Sequence, residues 1–385
     1  MNVTFFWEGG SDFTLAHKGN PYGPLLAMGK LGITFVPGDY DFTGAWLDAN
    51  GEQNDVLHIN WLHHFYRADS REASTHRLRT FIDNLEHAKQ IGYRIVWTFH
   101  NLYPHERPYL ENGETAQTAM CELADEIIAH CGYATEKCRE LFGRKDRLHV
   151  IPQGNYIDAY PNEISKPGAR ASLGIPRDAF VYAFSGNARP YKGIERLVDV
   201  FLAVARPQDH LLLMMKEFRF NPQYARDYVA LAETAPNIIA VSSPYFEPED
   251  FQLYLNASDV SVLPFVDVLT SGSAILSLSF GRPTILPAFG CMPELIEEAS
   301  GLLFDPTEPD ALEPHRSTNS RTQPRLKSRA VRKAFVPAFL EQILVILYFD
   351  QRSDDLPLGD IPDEGPANLT SHIPSNIRGS ILVTG

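Results

Sequence analysis

Residues 259–287 read DVSVLPFVDVLTSGSAILSLSFGRPTILP, and no other stretch restricts the fold as much. Residues 260–263 are a short apolar run stopped by Pro264, as in a buried strand. Residues 274–280 read as a helix closed by Gly281, with Pro283 just beyond. Residues 284–286 open a second apolar run. Strand, loop, helix and strand in that order form one unit of a parallel sheet, because parallel neighbours need a crossover. The loop brings Thr270, Ser271, Gly272 and Ser273 to the helix start. Free N–H groups and the positive dipole end favour an anion there, glycine permits close approach, and the hydroxyls add donors. Simple capping of the helix by Thr270 or Ser271 is the plainer alternative.

The same alternation runs through most of the 385 residues. Apolar runs at 3–7, 33–36, 56–60, 94–100, 127–130 and 148–152 are separated by helical stretches at 23–31, 75–90, 116–126 and 135–142. Residues 160–168, polar with two prolines, read as a linker. A second series follows, with strands at 180–185, 210–215, 237–241, 260–263 and 284–286 and its clearest helices at 194–205 and 248–255. The expected fold class is α/β, with two Rossmann-like doubly wound domains, residues 1–160 and 168–312, facing a central cleft. A ligand is expected at the strand C-terminal ends, between them.

Composition narrows the partners. A formal charge of -14 leaves no general basic face for a phosphate backbone, so nucleic acid is not an expected partner. The four cysteines, at 121, 131, 138 and 291, lack the paired short spacing of a zinc site and are expected as reduced thiols in a cytosolic protein. The N-terminus has no basic and apolar leader pattern, and no apolar run is long enough to span a bilayer.

Several motifs together resemble the glycosyltransferases of GT-B fold. They are Ser185-Gly-Asn-Ala-Arg-Pro-Tyr-Lys-Gly193, the 270–283 stretch, Gly290-Cys-Met-Pro-Glu-Leu-Ile296 and Gly301-Leu-Leu-Phe-Asp-Pro306. The first half adds Gly19-Asn-Pro-Tyr22, His58-Ile-Asn-Trp-Leu62, Trp97-Thr-Phe-His-Asn101, Pro104-His-Glu106 and Ile151-Pro-Gln-Gly-Asn-Tyr156. The resemblance covers roughly residues 1–312. It implies a bacterial enzyme of cell-surface polysaccharide or glycolipid synthesis, a family that includes mannosyltransferases.

Under that resemblance the donor is a nucleotide diphosphate sugar, with GDP-mannose favoured and a UDP-sugar the alternative. Arg189 and Lys192 are expected to neutralise the charge that builds on the leaving diphosphate, together with Thr270 to Ser273. Asn187 stands where relatives often carry an arginine. Many retaining enzymes of this fold place two glutamates eight residues apart; here those places hold Val268 and Leu276. Glu294 is therefore expected either on a sugar or ribose hydroxyl or at a helix N-terminus.

The catalytic candidates are Asp12, preferred as base, and His100, which resembles a histidine that approaches the donor sugar in relatives. His17, His105 and Glu106 are further first-half candidates. Asn20, Tyr22, Glu106 and Trp61 are the expected acceptor-side residues. Asp39-Tyr-Asp41 spells the metal signature of the other major glycosyltransferase fold but is read as a loop, and no metal or other cofactor is expected.

Residues 313–385 break the pattern. A basic polar stretch leads into an apolar one at 336–349 and then into Pro-, Asp-, Gly- and Ser-rich sequence. A divergent or disordered tail and a membrane-associating segment both fit this composition. The expected function is hexose transfer to a saccharide or lipid-linked acceptor, in the cytoplasm or peripheral at the inner membrane face. A nucleotide-sugar epimerase of the same fold and a catalytically weak binding subunit are the rivals.

Overall fold

The computed structural model of the chain describes residues 1–7, 13, 20–27, 33–40, 42–51, 56–104, 109–296 and 300–306. The apolar runs form two six-stranded sheets, and every strand pairing among the described residues is parallel. The first holds β1 (Asn2–Phe6), β2 (Thr34–Pro37), β3 (Val56–Ile59), β4 (Arg94–Phe99), β5 (Glu126–Ala129) and β6 (Leu148–Val150), in spatial order β2-β1-β3-β4-β5-β6. The second holds β7 (Val181–Asn187), β8 (His210–Lys216), β9 (Ile238–Ser243), β10 (Val260–Val262), β11 (Thr284–Pro287) and β12 (Gly301–Phe304), ordered β12-β11-β10-β7-β8-β9. These are two doubly wound sheets, as the alternation requires.

Capping explains where the helices begin. The helix Arg71–Gln90 starts a turn earlier than its apolar period suggests, because the Ser70 oxygen accepts from the Ala73 N–H. Helix Gly132–Phe142 likewise gains a turn from the Cys131 cap, and helix Gly272–Ser279 begins immediately after Ser271, whose Oγ accepts from the Ala274 N–H. Helix Leu110–Leu123 ends before Glu126, which opens β5 instead. Helices Gly44–Asn50, His63–Tyr66, Lys166–Ser172, Gln223–Ala232 and Met292–Leu295 were not apparent from periodicity, most being short. Helix Lys166–Ser172 begins inside the stretch read as a linker. Asp39 and Tyr40 follow β2 in a loop, whereas Asp41 and residues 313–385 lie outside the described residues.

The first sheet buries β3 and β5 along their whole length, and β4 along all but its first residue. Leu57, Ile95, Trp97 and Phe99 from these strands share a core with Leu78, Phe81 and Leu85 of the long helix. Each large apolar side chain taken from water stabilises by about 1.5–3 kcal/mol, so this face anchors the half.

Strand order then locates the functional edge. Order reverses between β1 and β3 in the first sheet and between β7 and β10 in the second; ligands of open α/β sheets sit beyond the strand C-termini at such points. Both ends carry the loops singled out by sequence.

Helix Lys166–Ser172 is fixed to the second sheet by Asp259. Its carboxylate accepts from Lys166 Nζ, from Arg170 Nη2 at 2.7 Å and from the Val181 N–H at 2.7 Å. Arg170 is buried, so losing its counter-charge strands a cation. Asp259→Ala is expected to cost about 3 kcal/mol, read as a lower urea midpoint at unchanged slope.

Candidate functional site

The switch point of the second sheet is built by tight backbone packing. Gly193 has φ +69°, and a Cβ there would lie 2.1 Å from the Pro264 carbonyl oxygen, so only glycine permits the two loops to meet. The Val266 N–H donates to the Tyr191 carbonyl at 2.9 Å and locks the pair. Gly186 closes the other side, since a Cβ there would lie 2.8 Å from Ser273 Oγ. The loop after β7, the loop after β10 and the start of helix Gly272–Ser279 are thus in contact.

Lys192 sits inside this junction at 8% exposure. Its ammonium lies 4.2 Å from the Phe265 ring centroid and 5.1 Å from that of Tyr191. Among the described residues its ammonium has no hydrogen-bond or ion-pair partner. Burial, and then the nearby Arg189 guanidinium, push its pKa down to about 7. Arg189 itself lies over the Phe218 ring at 4.4 Å. Two cations meet aromatic faces here.

The four loop residues divide. Ser271 Oγ is the helix cap, and the Thr270 hydroxyl donates to the His100 carbonyl at 3.1 Å, across to the first half. The capping alternative therefore describes Ser271. Ser273 lies against Gly186, and Gly272 against the Tyr156 hydroxyl.

Glu294 reaches across as well. Its Oε2 and Oε1 accept from the N–H groups of Gly132 and Tyr133, at 2.8 and 2.9 Å. The helix start it serves is therefore that of Gly132–Phe142 in the first half, in addition to its place in the first turn of its own helix Met292–Leu295.

Beside it the expectation of four reduced thiols fails: Cys131 and Cys291 form a disulfide, closing a loop of 160 residues. Spacing gave no sign of it, because the pair is brought together only when the two halves meet. Cys121 and Cys138 remain free and buried, their sulfurs 3.4 Å apart.

The first-half edge is a cluster of aromatic and imidazole rings. His100 follows β4, stacks on Trp61 at 4.3 Å and meets Tyr22 edge-on at 5.0 Å. His58 and His130 complete the group, all three buried. Burial drives the His58 pKa down to about 3, that of His130 to about 4 and that of His100 well below the usual value, so all are neutral near pH 7. Tyr22 is buried with its hydroxyl beside Thr98, which makes it a wall of the cluster. Asn20 accepts from the Tyr22 N–H at 3.1 Å and from the Tyr156 hydroxyl at 3.2 Å. Tyr156, which sequence reading did not single out, thereby joins both halves; its N–H also donates to Ser279 Oγ.

A small cavity of about 20 Å³ opens beside His100, lined by Asn60, Trp61, Tyr66, Thr98 and Gln117 among others. Gln117 Nε2 donates to the carbonyls of Asn101 and Leu102, and its buried Oε1 has no partner among the described residues. Asp12, His17, His105 and Glu106 lie outside the described residues. No three His, Cys, Asp or Glu side chains among the described residues gather as a metal site. No described helix is long and apolar enough to cross a membrane. Thiol titration of the denatured, unreduced chain is expected to find two reactive groups, Cys121 and Cys138, rising to four after reduction.

Residues 179–315 match the family described as Glycosyl transferases group 1. The chain is 27% identical over 239 residues to a GDP-mannose:glycolipid 4-beta-D-mannosyltransferase from Xanthomonas campestris pv. campestris, covering 60% of this chain and 61% of that one. It is 26% identical over 269 residues to a D-inositol 3-phosphate glycosyltransferase from Thermomonospora curvata, covering 63% and 62%. The matches thus span about three fifths of these relatives' length. Among solved structures, the sucrose-phosphate synthase of Thermosynechococcus elongatus superposes with TM-score 0.66 at 17% identity, over 91% of this chain and 98% of that one. Anabaena HepE in complex with UDP and glucose gives 0.62 at 15%, over 89% and 98%. At these identities the likeness establishes the fold. The chain has the GT-B fold, and its residues 179–315 are similar to the glycosyltransferase group 1 family.

Proposed function

We propose that the chain transfers a hexose from a nucleotide diphosphate sugar to a saccharide or lipid-linked acceptor, with no metal or other cofactor. The observation that carries this reading is the buried Lys192 ammonium, which has no acceptor among the described residues, at a junction of strand C-termini and a helix start. Breaking the sugar–oxygen bond leaves charge on the diphosphate. An ammonium and helix amides held in a dry site stabilise that charge more in the transition state than in the ground state. Lys192, Arg189 and the amides and hydroxyls of Gly272 and Ser273 take that role, with Ser271 and Thr270 holding the loop.

GDP-mannose is the favoured donor, supported by the name of the Xanthomonas relative. A glycolipid acceptor follows from the same name and implies work at the cytoplasmic face of a membrane. The disulfide is unusual for that compartment, and its burial shields it from soluble reductants. His100 and the pocket beside it face the sugar and acceptor. The base that takes the acceptor proton is assigned, from sequence alone, to Asp12.

A thermal-shift screen of GDP, UDP, dTDP and ADP tests the reading. At a hundredfold excess over Kd a bound nucleotide stabilises by about 2.7 kcal/mol. The native protein is expected to show that stabilisation with GDP most strongly, and Lys192→Ala to lose it. Absence of a shift with all four nucleotides would reject the transferase assignment.

A further inference from the structure

The switch point of the first sheet is bridged by a side chain. Asn60 follows β3 and is buried; its Nδ2 donates to the Phe6 carbonyl at the end of β1, at 2.7 Å. A carbonyl oxygen only accepts, so this contact fixes which end of the amide is which. The remaining oxygen, Oδ1, lies 2.9 Å from His100 Nε2. An amide oxygen also only accepts, so Nε2 must carry the hydrogen. The other ring nitrogen, Nδ1, then keeps its lone pair, and it has no partner among the described residues.

The rest of the surroundings hold that arrangement. Trp61 covers one face of the imidazole, Tyr22 abuts it edge-on, and the Thr270 hydroxyl grips the His100 carbonyl from the second half. His130 makes the contrast. Its Nδ1 faces the Ile151 carbonyl at 2.8 Å, which fixes the opposite tautomer in a ring only 5.2 Å away. Two adjacent buried imidazoles are therefore set in different tautomers by different acceptors.

We propose that Asn60 is a positioning residue that locks His100 as the Nε2–H tautomer and so presents Nδ1 as the acceptor for a substrate hydroxyl. The inference rests on the transferase reading for the identity of that substrate, a sugar, while the tautomer lock stands on geometry alone.

Long-range proton–nitrogen correlation spectra of ring-labelled histidine test it in the native protein, with His100 assigned by its loss in His100→Gln. The expected pattern is a protonated Nε2 and a bare Nδ1. Asn60→Leu, which removes the acceptor, is expected to leave His100 as a mixture of tautomers; Asn60→Asp, which keeps an acceptor oxygen, is expected to restore the native pattern. In parallel, release of nucleoside diphosphate from GDP-mannose and UDP-glucose is followed. Asn60→Leu is expected to lower kcat about 10- to 100-fold, the loss typical when a histidine's orienting partner is removed at a metal site, with donor KM near native and recovery in Asn60→Asp.

An Nδ1–H tautomer in the native protein, or an unchanged tautomer or kcat in a folded Asn60→Leu, would overturn the proposal. If the native protein turned over neither donor, the transferase reading would fail, and the histidine spectra would still decide the lock.

Discussion

An ammonium buried with no carboxylate partner among the described residues is the constraint around which the second half is arranged. Removing Lys192 from water costs free energy that the Phe265 and Tyr191 faces offset only in part. The chain accepts that cost where β7 and β10 diverge. Gly193 and Gly186 are the means, since side chains there would force apart the loops that enclose Lys192 and Ser273. Arg189 beside it raises the local positive field further and keeps the lysine pKa low. A buried ammonium beside a guanidinium favours an anion, and a diphosphate is the anion we propose for it.

The second constraint is the seam between the two sheets. Three contacts of different kind cross it close together: the Cys131–Cys291 bond, the Glu294 carboxylate on the start of helix Gly132–Phe142, and the Thr270 hydroxyl on the His100 carbonyl. The first two join the same pair of segments. The third couples residues 270–273 directly to His100, whose imidazole lines the first-half pocket. Glu294 thus holds helix Met292–Leu295 against the first half.

Much of this was legible in the sequence because parallel strands flanked by helices write a plain period. The apolar runs at β3, β4, β7 and β8 are buried on both faces, so their composition alone identified them. What escaped reading was decided by contacts distant in sequence. Helices such as Met292–Leu295 are too short for a period to declare itself. Cys131 and Cys291 carry no spacing signal across 160 residues. Asn60 and Tyr156 look like ordinary polar and aromatic loop residues until the Phe6 carbonyl and Ser279 are brought beside them. Thr270 and Ser271 show the converse: the hydroxyl-rich helix start was visible, but which hydroxyls are consumed by the structure itself was not.

The central claim is that Lys192 is a desolvated cation awaiting a diphosphate. Titration of isotope-labelled lysine side chains by NMR addresses it directly. In the free protein Lys192 is expected to titrate near pH 7. A bound diphosphate favours the charged form, so nucleotide must raise that pKa towards the ordinary lysine value of about 10.4. Binding above pH 7 then takes up a proton, and affinity weakens as pH rises between the two values. An ordinary lysine pKa in the free protein, or one near 7 that saturating GDP and UDP leave unmoved, would contradict the account.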